Sequence, residues 1–498
     1  MQCIKDISTQ GRAFKQGPVL YALAVCARSN SPGTKQAAYN VLGDVCRIPT
    51  HLFQFIKFCE EMSINETGWG RAHRRAINKW YESFSYPNRN NKDPEKLAYL
   101  VTKYKRRHGF SHRDIIRLAH TRTGNKSIKI ILQYVLGKSM EAADIGTESE
   151  KVANFLHAVE QAKQCEPMEE ETLVELIALN QLSLQHIPTV FLKNNLNIWK
   201  VLYRQMPMGA MIRNLGKLSK LGIYDSVGAD SKDFWVSIVE VRLKDDIALA
   251  RAKIHPLNLL IAFKQYKNGS SLKGKLEWDV NSRISKALED AFYRNTKILL
   301  PFEKRCLIAI STGEDMQKLI CGSSIKASEA AAAMALSTVK MENVDVILFT
   351  NSITEASMAK IDRDDNLSTI EDKIFQIPRE VGKKYIRQDL ATPFIWATAE
   401  KHRYEAIIIF TDSLTSCGSI HPAEALKQYS QYMSVPNYCL VVVSMTSNKY
   451  KIAAPEDTNT LDVVGFDKHT PGIIMDFIEG FRPRPDEDME VFLHEDDD

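Results

Sequence analysis

The 498-residue sequence lacks the features that mark a membrane or a disulfide-stapled secreted protein. No apolar run approaches the roughly 20 residues that cross a bilayer. In a secretory signal an apolar segment follows the N-terminal charges. The N-terminal stretch MQCIKDISTQGRAFKQ has no such segment. The nine cysteines are odd in number, scattered and without a CxxC pair, which argues against a disulfide framework and a zinc site. We therefore expect a globular cytoplasmic protein without a membrane partner, with the nucleus as a second compartment.

Catalytic signatures are also absent. The sequence contains no GxSxG, HExxH, Walker loop or GxGxxG after a strand. Imidazoles at His108, His112 and His120 could exchange protons with a ribose 2′-hydroxyl. However, His108 precedes a turn and the other two are eight residues apart, so their spacing does not bring them together. The sequence predicts a binding protein, not an enzyme, and no cofactor.

What the chain does have is strongly segregated charge, although its net charge is only +4. Between Arg71 and Lys126 there are fifteen lysines and arginines against four acids, a local balance of +11. Residues 486–498 carry eight acids and no lysine or arginine. We expect residues 484–498 to form a solvated acidic tail, and the basic segment to form one positively charged surface.

The most basic part of that segment is KLAYLVTKYKRRHGFSHRDIIRLAH, residues 96–120. Apolar residues recur at i, i+3, i+4 and i+7 from Leu97, which predicts an amphipathic helix with Lys103 and Arg107 together on its polar face. After Gly109, a serine followed three residues later by an aspartate predicts a capping box and a second helix. Three basic side chains of that second helix fall together: Arg113, Arg117 and His120.

Two different architectures are predicted within the chain. From residue 1 to about 295, short amphipathic segments such as PVLYALAVCAR and VANFLHAVEQAK are each closed by a polar turn. Helix pairs that stack at a period of about 40 residues form HEAT-type solenoids. We therefore predict an α-solenoid of HEAT-like repeats over residues 1–295.

Residues 296–483 have a different pattern, in which continuous apolar runs alternate with helical segments. Such runs are typical of buried parallel strands. The alternation predicts a doubly wound α/β domain whose site lies at the carboxyl ends of the strands. The predicted strands are CLIAI (306–310), VDVILF (344–349), EAIIIF (405–410) and YCLVVVSM (438–445).

Several ordered motifs closely resemble the Ro ribonucleoprotein family, in which a TROVE module precedes a von Willebrand factor A domain. They begin with VCRIPTHLF (45–53) and WGRAHRRAINKWY (69–81) and continue through MIRNLGKL (211–218), RAKIHPLNLLIA (251–262) and FTDSLT (410–415). The resemblance covers nearly the whole chain. Family chains have a further N-terminal segment before the part that matches Thr9–Gly17, which leaves open how the first repeat closes against the second domain.

The resemblance implies a ring of HEAT-like repeats closed by the von Willebrand domain. It also implies that the protein binds small noncoding Y RNAs on its basic outer face and the single-stranded 3′ ends of misfolded RNAs in its central hole. By motif alignment, the Y RNA contacts fall on Lys103, Arg107 and His120, which the residue pattern also selects. We expect the surface to be extended by Arg106, Arg113, Arg117, Arg71, Arg74, Arg75 and His51.

Von Willebrand domains commonly hold a divalent cation, and here the resemblance is incomplete. The first loop presents Ser311, Gly313 and Asp315 where the family presents Asp, Ser and Ser. Gln388 stands at the threonine position, and only Asp412 is retained. Glycine offers no side-chain ligand and a hard cation needs several oxygens, so we expect no metal. The alternative is a cation held by Asp315 and Asp412 together with Ser311 or Asp389.

A rival function remains open, because helical solenoids and von Willebrand domains also bind proteins. A protein-interaction scaffold of that kind would act without RNA.

Overall fold

The computed structural model describes most of the chain. The described residues are 1–13, 15–63, 69–85, 87, 92–138, 146–147, 149–225, 232–271, 275–295, 304–320, 324–339, 344–350, 367–380, 388–412, 418–445, 457–465 and 470–480. The predicted acidic tail, 484–498, lies outside them. No helix among the described residues is long and apolar enough to cross a membrane. The chain divides into two compact units, Met1–Leu288 and Glu289–Asp498.

The first unit is built from helices, most of them between eight and fifteen residues long, and the last of them, α18, continues past Leu288 into the second unit. Their bounds are α1 Gln2–Thr9, α2 Gly17–Ala27, α3 Pro32–Asn40, α4 Leu42–Val45, α5 Pro49–Glu61, α6 Arg71–Glu82, α7 Pro94–Lys103, α8 His112–Ala119, α9 Lys126–Leu136, α10 Glu150–Gln164, α11 Glu170–Asn180, α12 Thr189–Asn194, α13 Leu196–Gln205, α14 Met208–Lys220, α15 Lys232–Lys244, α16 Asp246–Arg251, α17 Pro256–Lys267 and α18 Ser282–Asn295. One short antiparallel hairpin, β1 Arg106–Arg107 and β2 Phe110–Ser111, interrupts the helical series.

The helices pack as sequence neighbours, since α2 contacts α3 and α5, α7 contacts α9 and α10, and α10 contacts α11. A core of buried apolar side chains runs from Val19 to Leu156 and includes the fully buried Phe53, Phe55 and Tyr81. Trp69 and Trp80, at the two ends of the α6 segment, belong to this core. The amphipathic patterns therefore identified buried faces correctly.

The second unit contains a five-stranded parallel sheet in the order β4-β3-β5-β6-β7. Its strands are β3 Cys306–Ser311, β4 Val344–Phe349, β5 Ala406–Thr411, β6 Cys439–Ser444 and β7 Thr460–Val464. Its helices are α19 Ala327–Val339, α20 Leu367–Glu380, α21 Thr392–Ala399, α22 Pro422–Tyr432 and α23 Thr470–Ile478. The order is that of a doubly wound α/β fold, in which β3 and β5 flank the point where the winding reverses. The predicted fold class is confirmed.

Four of these strands coincide with the four predicted apolar runs. Every residue of β3 and β5 is buried, because helices cover both faces of a parallel sheet. The fifth strand, β7, has the sequence TLDVV and is half-buried to exposed along its length. It lies at the sheet edge, where burial is one-sided, so it lacks the continuous apolar run that marks the other four.

Candidate functional site

The basic surface begins where α7 ends. Tyr104, the C-cap residue of α7, has φ −107° and ψ 85°, so the chain leaves the helical conformation immediately after Lys103. The Lys103 ammonium donates a hydrogen bond to Tyr99 Oη (2.9 Å) and lies 4.9 Å from the centre of the Tyr99 ring. Tyrosine faces therefore hold this cation at the surface while leaving its charge unneutralised.

Arg107 does not share a helix face with Lys103, contrary to the prediction from their four-residue spacing. Arg106 and Arg107 form strand β1 of the hairpin, whose turn has His108 at φ 53° and Gly109 at φ 86°. Both guanidinium groups are exposed, and each donates a hydrogen bond to a hairpin carbonyl, of Gly109 and Arg106 respectively. The predicted surface thus consists of a helix end, a hairpin and a helix, rather than two adjacent helices.

The predicted capping box starts α8. Ser111 Oγ accepts a hydrogen bond from the backbone N–H of Asp114 (3.3 Å), and Asp114 Oδ2 accepts one from the backbone N–H of Ser111 (2.9 Å). The hydrogen bond from the Ser111 side chain, aided by the charges of Arg106 and Arg117, lowers the pKa of the Asp114 carboxyl. Arg106 of the hairpin and Arg117 of α8 therefore both act electrostatically on this carboxylate.

The end of α8 places His120 outside the helix. It is the C-cap residue in the left-handed region at φ 52°, and its side chain is exposed. Asn78 donates a hydrogen bond to the Ala119 carbonyl (3.2 Å) and accepts one from the Thr121 hydroxyl (2.7 Å), which fixes this turn against α6. Arg113 and Arg117, one turn apart on α8, are exposed as well.

The remaining predicted contacts differ in accessibility. Arg71 and Arg75 are exposed on α6, whereas Arg74 is half-buried with its Nε enclosed. Burial and the nearby Arg47 charge lower the pKa of His51 to about 4, so this imidazole is neutral at pH 7. His51 can contact RNA only as a neutral hydrogen-bonding or stacking group. Within the described residues, none of the predicted arginines, nor Lys103, has a carboxylate at ion-pair distance.

The other two histidines of this region are core residues. His112 Nδ1 lies 2.8 Å from Tyr81 Oη, and His73 Nδ1 lies 3.3 Å from Tyr39 Oη. Burial lowers the pKa of each imidazole to about 3, so both are neutral. Their place is inside the fold, and they do not join His108 and His120 in a cluster of proton donors.

A cleft of about 670 Å³ adjoins the start of α8 and contains Arg113, which the sequence pattern selected, together with three lysines that it did not. Its cations come from four separate segments: Lys105, Arg113, Lys138 and Lys163. Burial favours a raised pKa for the lining acid Glu160, but hydrogen bonds from Lys163 and Tyr134 lower it, so this carboxylate is already occupied. Lys105 and Arg113 lie within the basic stretch 96–120. No local sequence pattern assigns Lys138 and Lys163 to this cleft, because only tertiary packing brings them to it.

Comparisons with known proteins decide the family. Residues 1–187 and 184–268 match the TROVE domain, and residues 305–478 match the Ro60 vWA domain. The chain belongs to the Ro ribonucleoprotein family. A relative in Caenorhabditis elegans, named RNA-binding protein RO60, is 31% identical over 95% of this chain and 80% of its own length. The RNA-binding protein RO60 of Deinococcus radiodurans is 28% identical over 95% of this chain and 84% of its own length.

The fold of this Ro family chain also matches a solved structure. The crystal structure of the Deinococcus radiodurans RO (RSR) protein superimposes with a TM-score of 0.70 at 28% sequence identity. The match covers 97% of this chain and 91% of that one. The helical unit followed by a parallel-sheet unit is therefore a shared architecture.

The Ro family's von Willebrand domain implies a cation at the carboxyl ends of β3 and β5, and the residues present here do not fit one. The Ser311 hydroxyl donates a hydrogen bond to the Gln388 side-chain oxygen, and the Gln388 amide nitrogen donates one to Asp412 Oδ1. All three side chains are buried, with at most 1% of their surface exposed. The amide of Gln388 therefore stands between the two oxygen donors that would have to approach an ion.

Two further features agree with this arrangement. A Cβ at Gly313 would lie 3.2 Å from Gln388 Cβ, so the absence of a side chain there leaves room for the glutamine. Asp389, the other candidate ligand, accepts a hydrogen bond from the Ala391 backbone N–H (2.9 Å). The side chain of Asp315 lies outside the described part of the chain. Among the described residues, no group of three or more His, Cys, Asp or Glu side chains could hold a metal ion.

Proposed function

We propose that this chain is the RNA-binding component of small ribonucleoproteins in the cytoplasm, with the nucleus as a second compartment. It binds Y-like noncoding RNAs on the basic surface formed by Lys103, the hairpin arginines and α8. It also takes the 3′ ends of misfolded small RNAs, and so serves RNA stabilisation and quality control. The proposed role is binding, not catalysis.

One observation carries the proposal: half-buried Lys103 and the exposed arginines of this surface have no carboxylate at ion-pair distance among the described residues. Lysines and arginines without a carboxylate partner neutralise phosphates and release counterions, which is the main source of affinity for nucleic acids. Histidine and arginine side chains can in addition stack on unpaired bases of RNA loops. Relatives that match most of the chain are named RNA-binding proteins, which supports the same conclusion.

The test is the double substitution Lys103→Ala with Arg107→Ala, measured by fluorescence anisotropy with a labelled stem-loop RNA. Arg107 is exposed and Lys103 half-buried, with neither in the core, so we expect normal folding and an affinity lower by about tenfold or more. If each contacts one phosphate, the slope of log K against log salt falls by about 0.9 per residue. From 50 to 200 mM salt, the wild type would then lose about tenfold more affinity than the variant does.

A matched control removes one lysine and one arginine from the other unit, by Arg403→Ala with Lys427→Ala. Both are exposed there, and we expect unchanged affinity and salt slope. His120→Ser tests the end of α8, with a loss confined to structured RNA. A folded Lys103/Arg107 variant that binds as tightly as the control would contradict the site. Failure of the wild type to bind any RNA would instead favour the protein-interaction scaffold.

A further inference from the structure

A second pocket of the helical unit has a volume of about 700 Å³ and is separate from the basic surface described above. It lies between α14 and α17, which pack against each other, and the loop that follows α17 closes one side. Two sequence motifs without an assigned role, MIRNLGKL (211–218) and IHPLNLLIA (254–262), meet at this pocket.

Two glycines on one face of α14 let neighbouring side chains of the pocket wall pack close to the helix backbone. Gly209 and Gly216 are seven residues apart, about two helical turns, and both line it. A Cβ at Gly216 would lie only 2.7 Å from the Trp278 ring, so the indole packs directly on the helix backbone. Trp278 Nε1 donates a hydrogen bond to the Tyr266 carbonyl (3.2 Å), and the two rings stack with centroids 6.1 Å apart. The aromatic wall is therefore fixed in place by the fold.

The pocket lining combines an apolar surface with side-chain amides. Ile212 of α14, Ile261 of α17 and Ile254, just before α17, supply apolar surface. Asn258 and Gln265, seven residues apart on α17, line the same space, and neither side chain has a hydrogen-bond partner within the described residues. A primary amide offers both a donor and an acceptor. The lining suits a flat ligand with an apolar face and a polar edge.

The charge of the pocket is positive. Arg213 and Lys217, one turn apart on α14, line it, and no aspartate or glutamate is among the described lining residues. Neither cation has a carboxylate partner in the described part of the chain. The Lys217 ammonium donates a hydrogen bond to the Lys193 carbonyl (2.5 Å), which holds it at the pocket. The ligand is thus expected to carry negative charge.

We propose that this pocket binds one nucleotide unit, with its base between the isoleucines and amides and its phosphate at Arg213 and Lys217. A volume of about 700 Å³ lies within the usual range for small-ligand pockets and exceeds what a single base needs. Amide side chains recognise base edges through paired donors and acceptors. The inference rests on the proposed function only for the source of the nucleotide, which is an unpaired residue of bound RNA or a free nucleotide.

The experiment uses the full chain and two probes. The four nucleoside 5′-monophosphates are titrated separately by calorimetry, and a labelled single-stranded hexanucleotide is titrated by fluorescence anisotropy across a salt series. We expect Arg213→Ala to weaken binding at least fivefold and to lower the salt slope of the hexanucleotide by about 0.7, the value for one single-strand phosphate contact. Asn258→Ala with Gln265→Ala should reduce the preference among bases and leave the salt slope unchanged.

Two further variants keep the test decisive. Lys220→Ala removes an exposed cation of the same helix that does not line the pocket, and should change neither measurement. Ala262→Phe fills the pocket and should abolish monophosphate binding, with folding checked by circular dichroism.

Each outcome has a defined meaning. If the hexanucleotide binds and responds to Arg213→Ala, the source is RNA; if only monophosphates do, the pocket is a free-nucleotide site. If stem-loop RNA binding depends on Lys103 and Arg107 while the pocket variants bind both probes like the wild type, the pocket proposal is wrong and the proposed function stands. Binding of neither probe by the wild type likewise rejects the pocket, whatever the stem-loop result.

Discussion

Replacing Gln388 removes the hydrogen-bonded link that holds the loops after β3 and β5 together. The amide joins Ser311 to Asp412, residues that lie 77 and 24 positions away along the chain. In Gln388→Met the side-chain volume is nearly kept, so the change removes the hydrogen bonds of the amide, which include a long one from the Thr411 hydroxyl (3.4 Å) besides those to Ser311 and Asp412. The bonds to Ser311 and Asp412 are both buried, and depriving a buried polar group of its partner costs about 1–3 kcal/mol. We therefore expect a loss of about 2–5 kcal/mol for the two together.

The melting temperature is the direct assay, since 1 kcal/mol corresponds to about 2–4 °C in a unit of this size. Scanning calorimetry of the full chain should show a decrease of about 5–15 °C for Gln388→Met. Gln428→Met is the matched control, because the Gln428 amide is exposed on α22 and, among the described residues, donates only to Glu424 of its own helix. That change should stay within about 0.5 kcal/mol.

The Gln388→Glu variant tests the relation to a cation. It places a second carboxylate beside Asp412, and like charges at close range raise the pKa of one of them. We expect the variant to be unstable at pH 7, and to regain stability at lower pH or in millimolar Mg²⁺, which neutralise the pair. A ligand present at 100 times its Kd would restore about 2.7 kcal/mol. The wild type should melt alike in EDTA and Mg²⁺. An unchanged melting temperature in Gln388→Met, or a clear Mg²⁺ stabilisation of the wild type, would refute this reasoning.

Two further predictions concern stability. Burial lowers the pKa of His112 to about 3, and burial with nearby lysine charges lowers that of His186 to about 4, both from 6.5. Below pH 6.5 these histidines bind protons in the unfolded chain but stay neutral in the folded chain. The free energy of unfolding should therefore fall as the pH drops from 6.5 to 4, by up to about 1.4 kcal/mol per pH unit for each histidine. A melting temperature that stays constant over this pH range would contradict the prediction. Gly216→Ala should destabilise in urea because its Cβ meets Trp278 at 2.7 Å, although helix propensity alone predicts a gain of about 1 kcal/mol. Gly33→Ala, where nothing lies within 4 Å, is the control and should cost nothing.

Local patterns in the sequence determined much of the fold. Continuous apolar runs identified β3, β4, β5 and β6, because a strand covered on both faces needs apolar residues at every position. The capping box of Ser111 and Asp114 was readable for a similar reason, since both of its hydrogen bonds join residues three apart. Ordered motifs were sufficient to identify the family, and they selected Lys103, Arg107 and His120, whose role in RNA binding stays a prediction.

The tertiary structure decided what depends on contacts between distant residues. Helical periodicity placed Arg107 on the face of Lys103, but the chain leaves the helix at Tyr104 and turns through two residues with positive φ. Lys138 and Lys163 join the basic cleft only through packing of α9 and α10. Gly216 looks like an unfavourable helix residue until Trp278, 62 positions later, is seen to pack on it. Periodicity and capping act over a few residues of backbone, whereas these sites are formed by side chains that only the folded chain brings within contact distance.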